Sequence, residues 1–192
     1  MQIDYYFSTI SPFTYLSGTR PAQVAAKHGA SLNYKPLDIM GLFGRTGGTP
    51  PKDRHENRKA YRLTEMRRAA AKLGMPINLQ PAHWPTNAAP SSYAIIAAVR
   101  DGSGDVADLV AGLTRACWAE EKDIAQDEVI GDCLVAAGFD RTLVDHDMMQ
   151  GAETYARNLE DAVKAGAFGA PFFIVGEEPF WGQDRIDDLA AF

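Results

Sequence analysis

Strand-like segments lie only near the two ends of this chain of 192 residues, and a long helical stretch separates them. Residues 2–7 and 31–39 are rich in β-branched and aromatic side chains, and residues 172–181 predict a β-hairpin. From about Asp53 to Gly166 the apolar residues recur at helical spacing, and no strand pattern interrupts them. The order of strand, helix, strand, helical insert, hairpin and helix predicts an α/β architecture.

A helix is predicted between the first two strands, from Ser11 to Lys27. A serine followed directly by a proline is typical of an N-cap and a first helical residue, and Gly29 ends the pattern. Pro21 lies inside this segment and predicts a kink. Two strands joined by a helix form a βαβ unit with parallel strands and a right-handed crossover. After the hairpin, residues 183–192 predict a closing helix.

Residues 41–51 predict a long mobile loop, because glycines and prolines interrupt every regular period there. The helical stretch that follows contains several periodic segments. They are centred on residues 61–73, 91–99, 106–117, 129–134, 143–149 and 155–163. Cys117 and Cys133 fall on apolar helical stripes, so we expect both to be core residues rather than redox or metal-binding groups.

Composition bears on partners and on location. The chain has 19 basic and 25 acidic residues, and a net charge of −6 argues against a general nucleic-acid binder because it repels phosphate. No apolar run approaches the ~18 to 20 residues that span a bilayer. The first residues lack the basic and apolar regions of a signal peptide, and the four histidines show no metal-ligand spacing. We therefore expect a cytoplasmic protein without a metal site, a membrane partner or a nucleic-acid partner.

The segment Ser11-Pro12-Phe13-Thr14 is a candidate reactive centre at the start of the first helix. A helix N-terminus presents unpaired N–H groups and positive potential, which stabilise an anion such as a thiolate. The segment has no cysteine, so disulfide exchange by this route is excluded. The simpler interpretation is that Ser11 only caps the helix.

Two further loops bracket the predicted hairpin. Pro171 precedes the third strand, where a proline leaves neighbouring backbone groups free to pair with a peptide-like ligand. Residues 181–185 end a strand and open a helix, where backbone amides can bind a carboxylate and Asp184 can bind an ammonium group. The simpler interpretations are a strand-start proline and a helix cap with Arg185 in a surface ion pair.

A cationic segment runs from Lys52 to Lys72, with eight basic residues against three acidic ones. A basic helix beside a glycine-rich loop suits a small anionic ligand, although such a run is often only a solvated face. Arg45, Arg58 and Lys59 are the residues expected to face inward.

Together these segments resemble the glutathione-dependent 2-hydroxychromene-2-carboxylate isomerases and the related kappa-class glutathione transferases. The resemblance covers essentially the whole chain. It rests on residues 4–7, 11–16, 46–51, 58–61, 118–120, 168–171 and 180–185. It implies a DsbA-like, thioredoxin-like fold with an inserted all-helical domain. Residues 1–40 and 167–192 would form the thioredoxin-like domain, residues 41–166 would form the insertion, and the protein would be a homodimer.

The resemblance also implies residue roles and a reaction. Ser11 would donate a hydrogen bond to the sulfur of bound glutathione. Ala170 and Pro171 would pair with the cysteinyl backbone of the tripeptide. Three further residues would bind its γ-glutamyl end. These are Gly182, Gln183 and Asp184. Lowering a thiol pKa by about two units needs roughly 2.7 kcal/mol of thiolate stabilisation, which one hydroxyl and a helix terminus can supply. Reversible thiolate addition, bond rotation and elimination would then isomerise a 2-hydroxychromene-2-carboxylate or a similar aromatic anionic electrophile.

The chain departs from the family pattern in one loop. Gly44 and Gly48 stand where the family usually has lysine and asparagine, Arg45 would replace the lost charge, and Asn87 would keep one polar group near the substrate. Three other functions remain open. They are a kappa-like glutathione transferase, a non-catalytic thioredoxin-fold binding module and a DsbA-like oxidoreductase. The oxidoreductase is disfavoured because Ser11 and Thr14 stand in place of the two cysteines of the reactive centre.

Overall fold

The computed structural model describes every residue, 1–192, and contains one four-stranded sheet. The strands are β1 (Gln2–Phe7), β2 (Ser31–Pro36), β3 (Phe172–Val175) and β4 (Glu178–Trp181), in the order β2-β1-β3-β4 across the sheet. β1 and β2 run parallel, whereas β3 is antiparallel to both of its neighbours, β1 and β4. The predicted parallel pair and the predicted hairpin are therefore confirmed.

Nine α-helices surround the sheet. They are α1 (Pro12–Ser17), α2 (Arg20–Lys27), α3 (Ile39–Thr46), α4 (Glu56–Leu73), α5 (Ala89–Asp101), α6 (Val106–Trp118), α7 (Asp127–Ala136), α8 (Met148–Lys164) and α9 (Ile186–Ala191). Short 3-10 helices lie at Pro51–Asp53, Arg141–Val144 and Gln183–Arg185. The helices from α4 to α8 between β2 and β3 confirm the helical insert. No helix combines the length and the apolar composition that a membrane span requires.

Each face of the sheet carries an apolar cluster, because successive strand residues point to opposite sides. Tyr5 of β1 and Phe173 of β3 pack on one face against α5, α6 and α7. Tyr6 and Phe172 pack on the other face against α1, α4 and the C-terminal end of α6, where Trp118 is fully buried. Both clusters combine sheet residues with residues of the helical insert. The division into residues 1–40 with 167–192 and residues 41–166 stays a prediction.

The prediction of a mobile loop at residues 41–51 was wrong for its first half, which is α3. Asp38 caps this helix by accepting a hydrogen bond from the Met40 N–H at 2.9 Å, and the buried Leu42 anchors it to the core. The helix ends at Gly47, whose φ of +76° is the left-handed conformation that glycine adopts easily. A good cap and apolar burial thus outweigh the low helical propensity of the glycines.

Three predicted helix bounds were also wrong. The predicted first helix is interrupted at Gly18 and Thr19, so α1 and α2 are separate helices. The chain therefore breaks before Pro21 instead of kinking at it. The closing segment begins as a 3-10 turn and becomes α-helical only at Ile186. Residues 143–149 do not form one helix, because Asp147 adopts a φ of +59° directly before α8 begins.

Candidate active site

The register of the sheet brings the loops singled out in the sequence to one edge. Tyr6 of β1 lies opposite Phe172 of β3, which lies opposite Trp181 of β4. The end of β1, the start of β3 and the end of β4 are therefore adjacent, and their loops border a cleft of about 690 Å³. This volume is within the range of about 300–1,000 Å³ that is usual for small-molecule sites. The predicted residues that line the cleft are Ser11, Arg58, Ala170, Gly182, Gln183 and Asp184.

Ser11 lies at the point where β1 gives way to α1, and its side chain has two roles in the free protein. Its Oγ accepts a hydrogen bond from the Thr14 N–H at 3.3 Å, so it caps α1 as predicted. Its hydroxyl donates to the carbonyl of Ala170 at 3.2 Å, which ties the first helix to the loop before β3. The residue is 9% exposed, and it borders the cleft. The hydroxyl proton is therefore held at the cleft by a single acceptor.

The backbone around Ala170 presents polar groups at the start of β3. The Ala170 N–H donates no hydrogen bond within the chain, while its carbonyl accepts from Ser11. The Ala170–Pro171 peptide bond is cis, and the Pro171 carbonyl accepts from the Gly182 N–H at 3.0 Å. Gly169 lies directly under the indole ring of Trp181, where a Cβ atom would overlap the ring. The free Ala170 N–H is suited to an extended, peptide-like ligand.

The loop after β4 is fixed to the rest of the chain by Arg20. The guanidinium of Arg20 donates to the carbonyl of Leu16 at 2.9 Å, and it also donates to the side-chain oxygen of Gln183 at 2.9 Å. Gly182 has a φ of +106°, and a Cβ atom there would lie 2.6 Å from the carboxylate of Asp184. Asp184 itself forms an exposed ion pair with Arg185 at 3.0 Å. This loop therefore presents an oriented amide and a carboxylate to the cleft.

Arginines form the opposite wall of the cleft. Arg54, Arg58 and Arg62 are spaced four residues apart, so they lie on one side of α4 and of the turn before it. Arg54 donates through Nε to the carbonyl of Thr49 at 2.7 Å, and its guanidinium carbon lies 5.7 Å from the centre of the Phe43 ring. Arg58 is exposed at the rim. The wall thus combines positive charge with aromatic surface.

Arg62 is the most enclosed of the three arginines. Its guanidinium carbon lies 5.2 Å from the centre of the Trp84 ring and 6.0 Å from that of Trp118. Desolvation by burial, assisted by the neighbouring Arg54, lowers the pKa of Arg62 to about 10, so the group remains protonated at neutral pH. Trp84 is held in place because its indole N–H donates to the carbonyl of Ile10 at 2.9 Å.

Three residues predicted for the substrate side do not line the cleft. Arg45 forms a two-pronged ion pair with Glu160 of α8, because the turn of α3 points it away from the cleft. Lys59 pairs with Glu56 at 2.8 Å on the outside of α4. Asn87 accepts a hydrogen bond from the Ala89 N–H at 3.0 Å and so caps the start of α5. The structure therefore does not bring these three residues to the cleft.

Sequence reasoning missed Arg54, Arg62 and Trp84. The spacing of four residues between Arg54, Arg58 and Arg62 was a signal that they share one side of a helix. No signal pointed to Trp84, because it lies in the irregular segment between α4 and α5. The carboxylates that line the cleft are Glu65 and Asp184, and each is paired with an arginine. The cleft contains no cysteine.

Comparisons with known proteins place these features in a family. The DSBA-like thioredoxin domain model matches residues 2–192. The chain belongs to this family, and the thioredoxin-like fold with a helical insertion that the sequence predicted is confirmed.

Its similar relatives include two proteins named 2-hydroxychromene-2-carboxylate isomerase. That of Sphingobium xenophagum is 27% identical over 193 residues, covering 99% of this chain and 96% of the relative. That of Pseudomonas putida is 28% identical over 191 residues, covering 97% and 91%. The resemblance recognised in the sequence is therefore confirmed at the level of the family.

Solved structures agree with this assignment. A 2-hydroxychromene-2-carboxylate isomerase (HCCA isomerase) structure superposes with a TM-score of 0.81 and 25% identity, covering 100% of this chain and 93% of the other. The cytosolic disulfide reductase DsbM from Pseudomonas aeruginosa, solved with GSH, superposes with a TM-score of 0.71. It is 18% identical, with coverage of 100% and 96%, and this likeness shows the fold alone.

Proposed function

We propose that the cleft binds glutathione and that the protein is a glutathione-dependent isomerase. Its substrate would be 2-hydroxychromene-2-carboxylate or a similar small aromatic anionic electrophile, as in the relatives of that name. One observation carries the proposal: the Ser11 hydroxyl and the unpartnered Ala170 N–H lie together in a cleft that has no sulfur nucleophile of its own. The homodimer remains a prediction from the resemblance, and the cytoplasmic location remains a prediction from the sequence.

The polar groups of one half of the cleft fit a tripeptide. The Ala170 N–H lacks an acceptor, and a main-chain carbonyl of an extended ligand satisfies it. The side-chain amide of Gln183 offers N–H groups to a carboxylate, and the carboxylate of Asp184 offers acceptors to an ammonium group. A γ-glutamyl end carries both of those charges. Ala170, Gln183 and Asp184 are therefore the residues that would hold glutathione, while Pro171 and Gly182, whose backbones bond each other at 3.0 Å, would set the shape of the surrounding loops.

Ser11 would act on the bound sulfur as a hydrogen-bond donor. Its hydroxyl has one proton, which is given to the Ala170 carbonyl in the free protein. Turning that proton toward the sulfur favours the thiolate, and it frees the Ala170 carbonyl to accept from an N–H group of the ligand. The second bond of Ser11, from the Thr14 N–H, is unaffected by this rotation and keeps the side chain in place.

Bound glutathione would supply the thiolate that adds reversibly to the conjugated double bond of the substrate, which allows rotation about it. The chain would contribute the other requirements. The arginine wall would bind the substrate carboxylate and stabilise the negative charge that develops on its oxygens. Phe13, Phe43 and Trp84 border the same space, pack against an aromatic ring and exclude water from it.

Two measurements test this proposal. Glutathione at millimolar concentration should raise the melting temperature, because a ligand that binds only the folded state stabilises it. In the Ser11→Ala variant, the pH at which bound glutathione ionises, followed by thiolate absorbance, should rise by about one unit or more, since a hydrogen bond to a charged group contributes about 1.5–3 kcal/mol. Ser17→Ala is a matched control, because Ser17 lies on α1, donates to the Phe13 carbonyl and does not itself line the cleft.

The kappa-like transferase is the alternative that shares this site. The apolar side chains of Met40 and Phe43 on the α3 side of the cleft favour it, because they do not select for one carboxylate substrate. Product analysis separates the two activities. An isomerase leaves the concentration of free glutathione unchanged, whereas a transferase consumes one glutathione for each product. A protein that binds glutathione and does neither would be the non-catalytic binding module.

A further inference from the structure

We propose that Arg62, lying over Trp84, is the binding subsite for the carboxylate of the second substrate and determines its preference for aromatic carboxylates over neutral aromatic compounds. This inference rests on the proposed function in one respect, namely that the other half of the cleft holds glutathione. The class of ligand is a flat aromatic or conjugated carboxylate. No other arginine of the cleft has its guanidinium as close to an aromatic ring.

Arg62 is only partly exposed and has no polar partner, whereas Arg58 and Arg67, which also have none, are exposed on the same helix. Arg62 makes no hydrogen bond and no ion pair within the chain. By contrast, Arg54 donates to the Thr49 carbonyl, Lys59 pairs with Glu56, and Arg68 pairs with Glu65. A guanidinium has five N–H donors in a fixed plane, and leaving them unmatched in a partly dry place is costly. An arriving carboxylate matches two of them at once.

The charges around Arg62 favour an anion. Arg54 and Arg58 flank it along the same side of the chain, so the local potential is positive. Glu65 is the carboxylate on the same helix that also lines the cleft, and it is engaged by Arg68 at 2.9 Å. The remaining lining carboxylate, Asp184, belongs to the opposite wall and is paired with Arg185. A ligand carboxylate thus meets little competition.

Trp84 connects this subsite to Ser11. Its indole N–H is bonded to the carbonyl of Ile10, the residue directly before Ser11. The indole ring also packs against Trp118 with ring centres 5.5 Å apart, and Trp118 is fully buried. The platform on which Arg62 lies is therefore anchored both to the core and to the chain segment that holds the serine. This is the rigid support that a specificity-determining residue requires.

The adjacent wall offers no alternative polar group. Gly44 and Gly48 carry no side chain, and the Phe43 ring fills the space into which a side chain at position 48 would project. The Phe43 ring and Met40 both line the cleft there. Recognition of a carboxylate on this side consequently falls to the arginines. Of the two whose donors are unmatched, Arg58 is exposed at the rim and Arg62 is the more enclosed.

The test compares two stable probes by isothermal titration calorimetry, namely S-(4-carboxybenzyl)glutathione and S-benzylglutathione. In the Arg62→Met variant, affinity for the carboxylated probe should fall about tenfold or more, because a charged hydrogen-bonded pair is lost. Affinity for S-benzylglutathione should change less than about twofold. Arg67→Met is the matched control, since Arg67 is exposed on the same helix, has no partner and does not line the cleft.

Each outcome has a defined meaning. If Arg62→Met lowers the affinity for both probes by the same factor, the subsite is overturned. It is also overturned if Arg67→Met lowers the affinity for the carboxylated probe as much as Arg62→Met does. Arg62→Lys should lie between wild type and Arg62→Met, because lysine keeps the charge but not the planar pair of donors. If wild-type protein binds neither probe, the proposed function itself fails. If it binds both, and both bind Arg62→Met as tightly, only the inference about Arg62 fails.

Discussion

The guanidinium of Arg20 donates to the side-chain oxygen of Gln183 at 2.9 Å and to the main-chain oxygen of the same residue at 3.2 Å. An arginine has only donors, so the amide oxygen of Gln183 must face Arg20. The amide N–H groups of Gln183 are consequently turned away from Arg20, and this residue lines the cleft. Arg20 therefore orients the Gln183 amide, and in the proposed glutathione site it would be a positioning residue.

Replacing Arg20 by methionine should weaken glutathione binding about three- to tenfold, because the Gln183 amide loses its fixed orientation and with it about 0.5–1.5 kcal/mol. Calorimetric titration with glutathione measures the change. Arg20 also bonds the Leu16 carbonyl, so some loss of stability is expected independently of the ligand.

A double-mutant cycle separates the two effects of Arg20. In a Gln183→Ala background, Arg20→Met should cause no further loss of glutathione affinity but should still lower the melting temperature. If the affinity losses of the two single variants simply add, Arg20 does not act through Gln183.

The low pKa of Arg62 has a consequence for pH dependence. Burial holds this pKa at about 10, so the cation is present at neutral pH and is lost as the pH rises through that value. The ratio of affinities for the carboxylated and uncarboxylated probes should therefore be constant from about pH 6 to pH 8.5 and decline toward pH 10. A ratio that already declines near pH 7 would point to another titrating group.

The same shift predicts the stability of the Arg62→Met variant. Because the pKa is lower in the folded chain than its ordinary value, the protonated side chain favours the unfolded state, and this penalty is present throughout the range below pH 10. The melting temperature of Arg62→Met at pH 7 should be at least as high as that of the wild type, measured without ligand. A marked decrease would mean that the contact with Trp84 stabilises the fold more than burial of the charge costs.

The two cysteines should be unreactive in the folded protein. Burial raises the pKa of Cys117 to about 12 and that of Cys133 to about 11, so at pH 8 the thiolate fraction at either site is about one in a thousand or less. Reaction with a chromogenic disulfide reagent should be slow in native protein, and both thiols should react promptly after denaturation in guanidinium. Rapid reaction of either thiol in native protein would contradict the expectation that both are structural.

Gly44 and Gly48 should respond oppositely to alanine. Gly44 lies within α3 with nothing near its missing side chain, so Gly44→Ala should stabilise the protein by about 0.5–1 kcal/mol. A methyl group at Gly48 would overlap the Phe43 ring, so Gly48→Ala should destabilise the protein by about 1–3 kcal/mol. Urea unfolding measures both changes. In a Phe43→Ala background the cost of Gly48→Ala should disappear, and its persistence would mean that the backbone rather than the ring is the obstacle.

The fold was largely predictable because its main features are local in sequence. The aromatic and β-branched runs of β1 and β3 and the helical periods of α5 and α6 each specify one element without reference to distant residues. The helix α3 escaped prediction because glycine content is a weak guide when a cap such as Asp38 and a buried residue such as Leu42 act together.

The site was predictable only where a motif fixed it. Ser11 and Ala170 could be assigned to one site only through the family resemblance, and in the structure the sheet register brings their loops together. The direction in which an individual arginine side chain points could not be predicted from the sequence. Arg45 points away from the cleft and pairs with Glu160, which lies 115 positions later in the chain and so gives no local signal. Arg62 points inward and lies over the ring of Trp84.

The pairing of β1 with β3 joins residues that are separated by most of the polypeptide. During synthesis on the ribosome, Ser11 emerges well before β3 and Gln183, which border the same cleft. Assembly of the cleft is consequently a late step, and a chain cut between Ser11 and β3 cannot complete it.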